Sequence, residues 1–277
     1  MAIISTAHEL PPMPGHPFPT APFQGQYSDV IYRGVSYEED SQPVKGIVFY
    51  FHGSGANAPL NNGALVQDLT QAGYRVVSIT MLNHGNSTPS GFRYGYGNVN
   101  DPDFTSLFIK TAWWVATVMS SNLKDGLPYM IVGHSMGASA TLSYLAHYAQ
   151  QPEVLADPNY KGAILNGATV GGTGDFSWND VSKNLAIIGG MVSLIEPGKR
   201  LLLCYTDNDA YCPPDYAKRV QTMIPTDADV YITSPGAFGH SWMNSTNSWI
   251  VKNWVEQLYN DQPLLTASGK PMKKGPV

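Results

Sequence analysis

The sequence predicts an α/β protein built on a mostly parallel central sheet with helices on both faces. Three observations carry this expectation. Apolar β-type runs alternate with stretches of helical spacing along most of the chain. The run KGIVFYFHG is near-continuously apolar, as expected for a strand buried on both faces. The chain has 277 residues, 43% hydrophobic and only 13% charged, enough for one large domain or two small ones with a substantial core.

The elements follow in order. Residues 1–27 are rich in proline and read as an extended N-terminal arm lying over the surface. DVIYRGVSY is an early strand and KGIVFYFHG the second. NGALVQDLTQAG has helical spacing and ends at Gly73, a plausible helix stop. Strand YRVVSIT follows. The Gly/Tyr-rich segment STPSGFRYGYGNVNDPD reads as a loop, and FTSLFIKTAWWVATVMSS as a helix. A strand and helix then surround Ser135, followed by strand KGAILNGA. Residues 169–198 hold a loop and one helical stretch. KRLLLCYT is a strand, PDYAKRVQTMI a helix, DVYIT a strand and NSWIVKNWVEQLY the last helix. The domain proper spans 28–260, and 261–277 form a tail in which Lys270, Lys273 and Lys274 are solvated.

Composition excludes several classes. Net charge is −5 with no basic cluster before that tail, which argues against a nucleic-acid partner. No apolar run approaches the roughly 18 residues of a membrane span. The first twenty residues lack a charged region followed by an apolar one, so no secretory signal is evident. A cytoplasmic location is slightly favoured over export with the signal removed. Cys204 and Cys212 are too few for a disulfide framework or a zinc site. A buried Cys204 and an unrelated Cys212 is favoured over one local disulfide.

In open α/β sheets, ligands bind beyond the carboxyl ends of the strands, so the polar residues just after each strand matter most. After KGIVFYF come His52, Gly53, Ser54 and Gly55. After YMIV comes Gly133-His134-Ser135-Met136-Gly137. DNDAYCPP follows KRLLLCYT, and SPGAFGHSW follows DVYIT. Gly-x-Ser-x-Gly between a strand and a helix has the layout of a nucleophile elbow, a strained turn that lifts a serine hydroxyl above the sheet. The bare pattern would arise by chance in roughly one of five such chains. Its weight comes from an acid and a histidine that follow at later strand ends, in the order Ser, Asp, His.

With these residues the sequence resembles the α/β-hydrolase superfamily, from about residue 28 to residue 260. Within it the chain looks most like a single-domain esterase or lipase. The resemblance implies that fold without a large cap domain, since residues 169–198 leave room only for a short lid. A serine hydroxyl needs a base within hydrogen-bond reach. Imidazole serves because its pKa lies near working pH, and a buried carboxylate fixes its tautomer. Ser135 is the expected nucleophile, His240 the general base and acid, and Asp209 the orienting carboxylate. Asp209 is preferred to Asp207 because Pro213 follows it at the family's usual spacing. The backbone N–H of Met136 is an expected oxyanion donor, and the resemblance implies that of Ser54 as the second. Gly53 and Gly55 would let that backbone approach the substrate.

The other histidines have blander readings. His8 and His16 lie in the arm and His147 in a helix. His52 and His134 brace the motif loops by hydrogen bonds. His84 is the one rival base, but it precedes the serine and resembles a structural His-Gly turn. Phe92, Tyr94, Tyr96 and Trp242 could line an apolar acyl or aromatic pocket, or simply pack their loops onto the domain.

These residues imply a carboxylic ester hydrolase working through an acyl-enzyme, with no metal or organic cofactor required. Short- to medium-chain or aromatic esters are favoured as small-molecule substrates, and an open cleft would also admit a polymeric ester. Acyl transfer or amide cleavage on the same residues is the alternative, with a non-catalytic binding protein further behind.

Overall fold

The computed structural model describes residues 2–10, 31–53, 63–80, 114–115, 117–119, 121–148, 157–168, 200–212 and 229–274. Eight strands form one sheet: β1 (Ile3–Leu10), β2 (Tyr32–Glu39), β3 (Gly46–Phe51), β4 (Tyr74–Ile79), β5 (Tyr129–His134), β6 (Tyr160–Asn166), β7 (Arg200–Cys204) and β8 (Val230–Thr233). Their order is β1-β2-β4-β3-β5-β6-β7-β8. β2 pairs antiparallel with both β1 and β4, and every other pairing is parallel. Three helices are described over their lengths: α1 (Ala64–Gln71), α2 (Met136–Tyr148) and α3 (Ser248–Tyr259).

The double-faced burial expected of β3 is observed, since all six residues are buried. Side chains of a strand alternate between the two faces. Ile47, Phe49 and Phe51 accordingly join one apolar cluster, with Trp114, Val115, Ile131 and Leu142. Val48 and Tyr50 join the other, with Leu65, Leu69, Val132 and Trp254. α1 and α3 cover that second face, while α2 and the helical residues around Trp114 cover the first. Each fully buried Leu, Ile, Val or Phe contributes about 1.5–3 kcal/mol, so this two-faced core holds the strand ends in fixed positions.

The described parts of both termini are tied to the sheet. Ile3–Leu10 is a strand paired with β2 along its whole length, from Ile3 opposite Glu39 to Leu10 opposite Tyr32. Its side chains remain mostly exposed, because an edge strand is held by its ladder and needs little burial. At the other end, Leu264 is buried and the Trp254 indole donates to the Leu265 carbonyl at 2.7 Å. Lys274 bridges to Tyr231 and ion-pairs with Asp229. Lys274 is exposed, as its composition suggests, and it also has a partner: a buried Asp229 needs a counter-charge, and the tail supplies it. Cys204 and Cys212 are free thiols, both buried.

The helix expected at 214–224, the segment 169–198 and the loop expected at 87–103 lie outside the described residues.

Candidate active site

Register places the strand ends side by side. Phe51 pairs with Gly133, His134 with Asn166, Asn166 with Cys204, and Cys204 with Thr233. The residues that follow β3, β5, β6, β7 and β8 therefore leave the sheet along one rim. That rim is its carboxyl end, and the strand order reverses between β3 and β5 there, where such sheets bind ligands.

Ser135 sits between β5 and α2 with φ +52. A non-glycine residue in the left-handed region is uncommon and, where packing enforces it, marks stored strain. The enforcing contacts are visible. The Ser135 N–H donates to the Asn166 carbonyl at 2.8 Å, and the Ser139 N–H donates to the Ser135 carbonyl at 2.9 Å. The flanking glycines let backbones touch. A Cβ on Gly133 would stand 2.7 Å from Ala138 Cα, and one on Gly137 would stand 2.2 Å from the Phe51 carbonyl oxygen. Gly53 packs against the same turn, since a Cβ there would lie 2.8 Å from His134 Nδ1 and 3.2 Å from Ser135 Cβ. Met136 opens α2, so the amide dipoles of that helix converge beside the serine.

Asp209 lies in the turn after β7. Its Oδ1 accepts from the N–H groups of Tyr211 at 2.8 Å and Cys212 at 2.9 Å, an Asx-type turn that fixes the carboxylate. The remaining oxygen, Oδ2, lies 2.7 Å from His240 Nδ1. The Asp209 side chain is fully buried, whereas that of His240 is 16% exposed. Burial alone would raise the Asp209 carboxyl, but the bonds from His240, Cys212 and Tyr211 together hold it below the usual carboxylate range. Asp207 points elsewhere: it is exposed and accepts from Ser234 Oγ at 2.7 Å.

The acid and histidine loops are laced to each other. The Asp207 N–H donates to the Gly236 carbonyl at 3.2 Å, Thr206 Oγ1 to the Gly239 carbonyl at 3.2 Å, and the Gly239 N–H to Asn208 Oδ1 at 2.6 Å. The His240 carbonyl accepts from His134 Nε2 at 2.9 Å and from Asn166 Nδ2 at 3.4 Å, and the His134 and His240 rings are 4.8 Å apart. Burial pushes the His134 ring down to about 4, although its bond to the His240 carbonyl works in the opposite direction. It is therefore neutral at pH 7. His52, fully buried, holds the Gly53 carbonyl with Nδ1 at 2.7 Å. Both histidines brace the loops.

The structure thus brings Ser135, His240 and Asp209 onto one rim, with Met136 beside the serine. Ser54, Phe92, Tyr94, Tyr96 and His84 lie outside the described residues. Trp242 is placed in the core. It is 2% exposed, its Nε1–H donates to Asn166 Oδ1 at 2.9 Å, and its ring meets Trp254 edge-on. An indole N–H satisfied inside the protein anchors the histidine loop.

Three residues escaped the sequence reading. Asn166, fully buried, ends β6 and touches the elbow, the histidine loop and Trp242. The strand-end rule that selected Ser135 would have selected it too. Tyr211 and Phe238 are large apolar side chains left exposed, at 59% and 40%. Tyr211 lies 5.0 Å from the His240 ring and Phe238 6.1 Å from that of Trp242.

Asp209, Cys212 and His240 also offer three ligand atoms within 4.8 Å of one another. Hydrogen bonds already occupy them. Asp209 and His240 face each other, and Cys212 Sγ donates to the Gly167 carbonyl at 3.1 Å. Burial, followed by the nearby Asp209 charge, raises the Cys212 thiol, which disfavours the thiolate that a metal would need.

An eight-stranded, mostly parallel sheet covered on both faces, with a strained serine turn after β5, defines a single-domain α/β-hydrolase. The chain belongs to the family described as serine aminopeptidase, S33, whose sequence model matches residues 42–224. Similar solved structures share the fold at low identity. A predicted CIB-like hydrolase from Thermoplasma acidophilum has a TM-score of 0.59 at 17% identity, covering 94% of this chain and 100% of its own. A 2-hydroxy-6-oxo-6-phenylhexa-2,4-dienoate hydrolase from Rhodococcus sp. strain RHA1 gives 0.58 at 13%, covering 94% and 100%. A cold-adapted esterase from an Arctic intertidal metagenomic library gives 0.56 at 13%, covering 92% and 94%. No curated protein matches the chain in sequence. No described helix is long and apolar enough to cross a membrane.

Proposed function

We propose that the protein is a serine hydrolase that cleaves carboxylic esters through an acyl-enzyme. The observation that carries this reading is the 2.7 Å bond between His240 and a fully buried Asp209, tied by His134 to the strained turn that bears Ser135. The Asp209 carboxylate accepts at Nδ1, so the neutral His240 ring keeps its lone pair on Nε2. In the first half-reaction Ser135 Oγ attacks the ester carbonyl carbon while its proton passes to that Nε2. The tetrahedral oxyanion is met by the Met136 N–H and, as the resemblance implies, by the Ser54 N–H. Such a donor is worth about 3–4 kcal/mol in the transition state. Collapse breaks the bond to the leaving oxygen, which takes the proton from His240. Water then repeats the sequence on the acyl-enzyme and releases the acid.

Tyr211 and Phe238 favour short or aromatic acyl and alcohol groups, because both leave apolar surface exposed near His240. The family description provides one observation for a second reading, cleavage of an amide by the same residues.

The test is turnover of p-nitrophenyl esters from acetate to palmitate, with an aminoacyl p-nitroanilide as the amide substrate, on wild type and on Ser135→Ala and His240→Ala. The reading expects short esters to turn over with a burst and both variants to fall to near background. Anilide cleavage without ester cleavage would move the amide reading ahead. Absence of burst and turnover on every substrate, together with failure of an organophosphate to label Ser135, would overturn both.

A further inference from the structure

We propose that His134 and Asn166 are positioning residues that clamp the backbone of His240 and so fix the position of its ring relative to the Ser135 turn. The inference rests on the reading of Ser135 and His240 as nucleophile and base. His240 is 16% exposed at its side chain and lies on a loop with Gly236 and Gly239 both at positive φ. The bonds from Thr206 Oγ1 and to Asn208 Oδ1 hold that loop at Gly239, and the Asp209 bond restrains the His240 ring at one atom. A restraint on the backbone of His240 itself completes the set that defines where Nε2 points.

The His240 carbonyl supplies that restraint. It accepts from His134 Nε2 at 2.9 Å and, through a longer contact, from Asn166 Nδ2 at 3.4 Å. Both donors are unambiguous. A carbonyl is acceptor-only, so His134 must carry its proton on Nε2. The Trp242 indole is donor-only, so the Asn166 oxygen must face it, at 2.9 Å, and the amide nitrogen must face His240. Each donor is also rigidly joined to the nucleophile. His134 is the residue before Ser135, and the Asn166 carbonyl accepts the Ser135 N–H at 2.8 Å. The two residues face each other across β5 and β6, so serine and histidine loop share one buried frame. His134 remains uncharged in this position, and no positive charge is set against the His240 ring that must accept a proton.

A purely structural role would lower stability and leave the chemistry untouched. The experiment therefore compares His134→Met and Asn166→Asp with the donor-retaining His134→Gln. Its readouts are kcat and KM on p-nitrophenyl acetate, thermal midpoint, and the low-field proton resonance of His240 Nδ1–H. Asn166→Asp keeps an acceptor for Trp242 but loses the donor to His240. His134→Met is expected to lower kcat about 10- to 100-fold, the scale of a misplacement of about 1 Å, with KM little changed and the resonance shifted or broadened by exchange. Asn166→Asp is expected to act in the same direction and less strongly, and His134→Gln to recover most of kcat. Unchanged kcat and resonance in a folded His134→Met overturn the proposal, as does a His134→Gln as damaged as His134→Met. Should His134→Met fail to fold, Asn166→Asp decides by the same two readouts. Wild type without esterase activity, but with a resonance that moves in the variants, overturns the ester reading and leaves the clamp standing.

Discussion

The two ends of the central sheet each hold a carboxylate in the same local turn, and only one of them faces a group able to exchange a proton. At the amino end, Asp157 accepts from the Asn159 N–H at 2.9 Å with one oxygen and from Tyr129 Oη at 3.0 Å and Lys124 Nζ at 3.4 Å with the other. At the carboxyl end, Asp209 accepts two N–H groups with one oxygen and His240 with the other. Both carboxyls are held below their usual range, in each case because bonds to the carboxylate outweigh burial. A depressed carboxyl therefore does not distinguish a site from a brace. The partner does. Burial and the Asp157 charge raise the Tyr129 hydroxyl, which keeps its proton at neutral pH, while an imidazole can accept and return one.

The largest effect separates the two acids by activity. Asp209→Asn keeps shape but turns an acceptor toward His240 Nδ1 into an amide, favouring the wrong tautomer. Ester turnover is expected to fall by roughly 10³- to 10⁴-fold, and Asp157→Asn to leave it unchanged. A kcat measurement on p-nitrophenyl acetate checks both, and comparable losses in the two variants would break the comparison.

A smaller effect separates the two ends by packing. At the carboxyl end, Gly137→Ala drives a Cβ to 2.2 Å from the Phe51 carbonyl oxygen, backbone against backbone. Neither partner can move without shifting α2 or β3. Overpacking of this kind costs about 1–3 kcal/mol or more. At the amino end, Gly126 has φ +69 and no atom within 4 Å of its would-be Cβ, so Gly126→Ala meets only backbone strain of about 1–2 kcal/mol. Thermal melts should rank Gly137→Ala below Gly126→Ala, and only the former should also slow organophosphate labelling of Ser135.

Much of the carboxyl end was legible in the chain because its signals are local. Apolar runs mark β3, β5, β6 and β7, and Gly133 and Gly137 mark the tight contacts around Ser135. The spacing to Pro213 singled out Asp209, which is the acid bonded to His240. Features defined by pairing across the fold were not legible. Asn166 reads as one polar residue ending a strand, and only the register that sets it opposite His134 and Cys204 gives it neighbours. Ile3–Leu10 lacks an apolar face, so nothing local separates an edge strand from a loose arm. Lys274 finds Asp229 only once the tail has folded back over β8. Trp242 follows His240 closely in sequence, which leaves pocket lining and loop packing both open; only the fold shows its indole meeting Asn166 and Trp254.

The smallest effect tests Asp157 as a brace through the pH dependence of stability. Its folded pKa lies below the unfolded value of about 3.9. Its contribution is then fully present above that value and is lost as pH falls through the folded pKa. The side chain is 19% exposed and Lys124 23% exposed, so solvent screens the pair and the net contribution is about 1 kcal/mol. Asp157→Asn should lower the thermal midpoint by a few degrees at pH 7, and the gap to wild type should close in acid, below pH 4. A gap that persists there would mean that the asparagine disturbs packing at the starts of β5 and β6, where Tyr129 and Tyr160 lie in ring contact, and that the charge of Asp157 is not what holds this end of the sheet. A gap that closes with esterase activity unchanged would leave the two carboxylates distinguished by their partners alone.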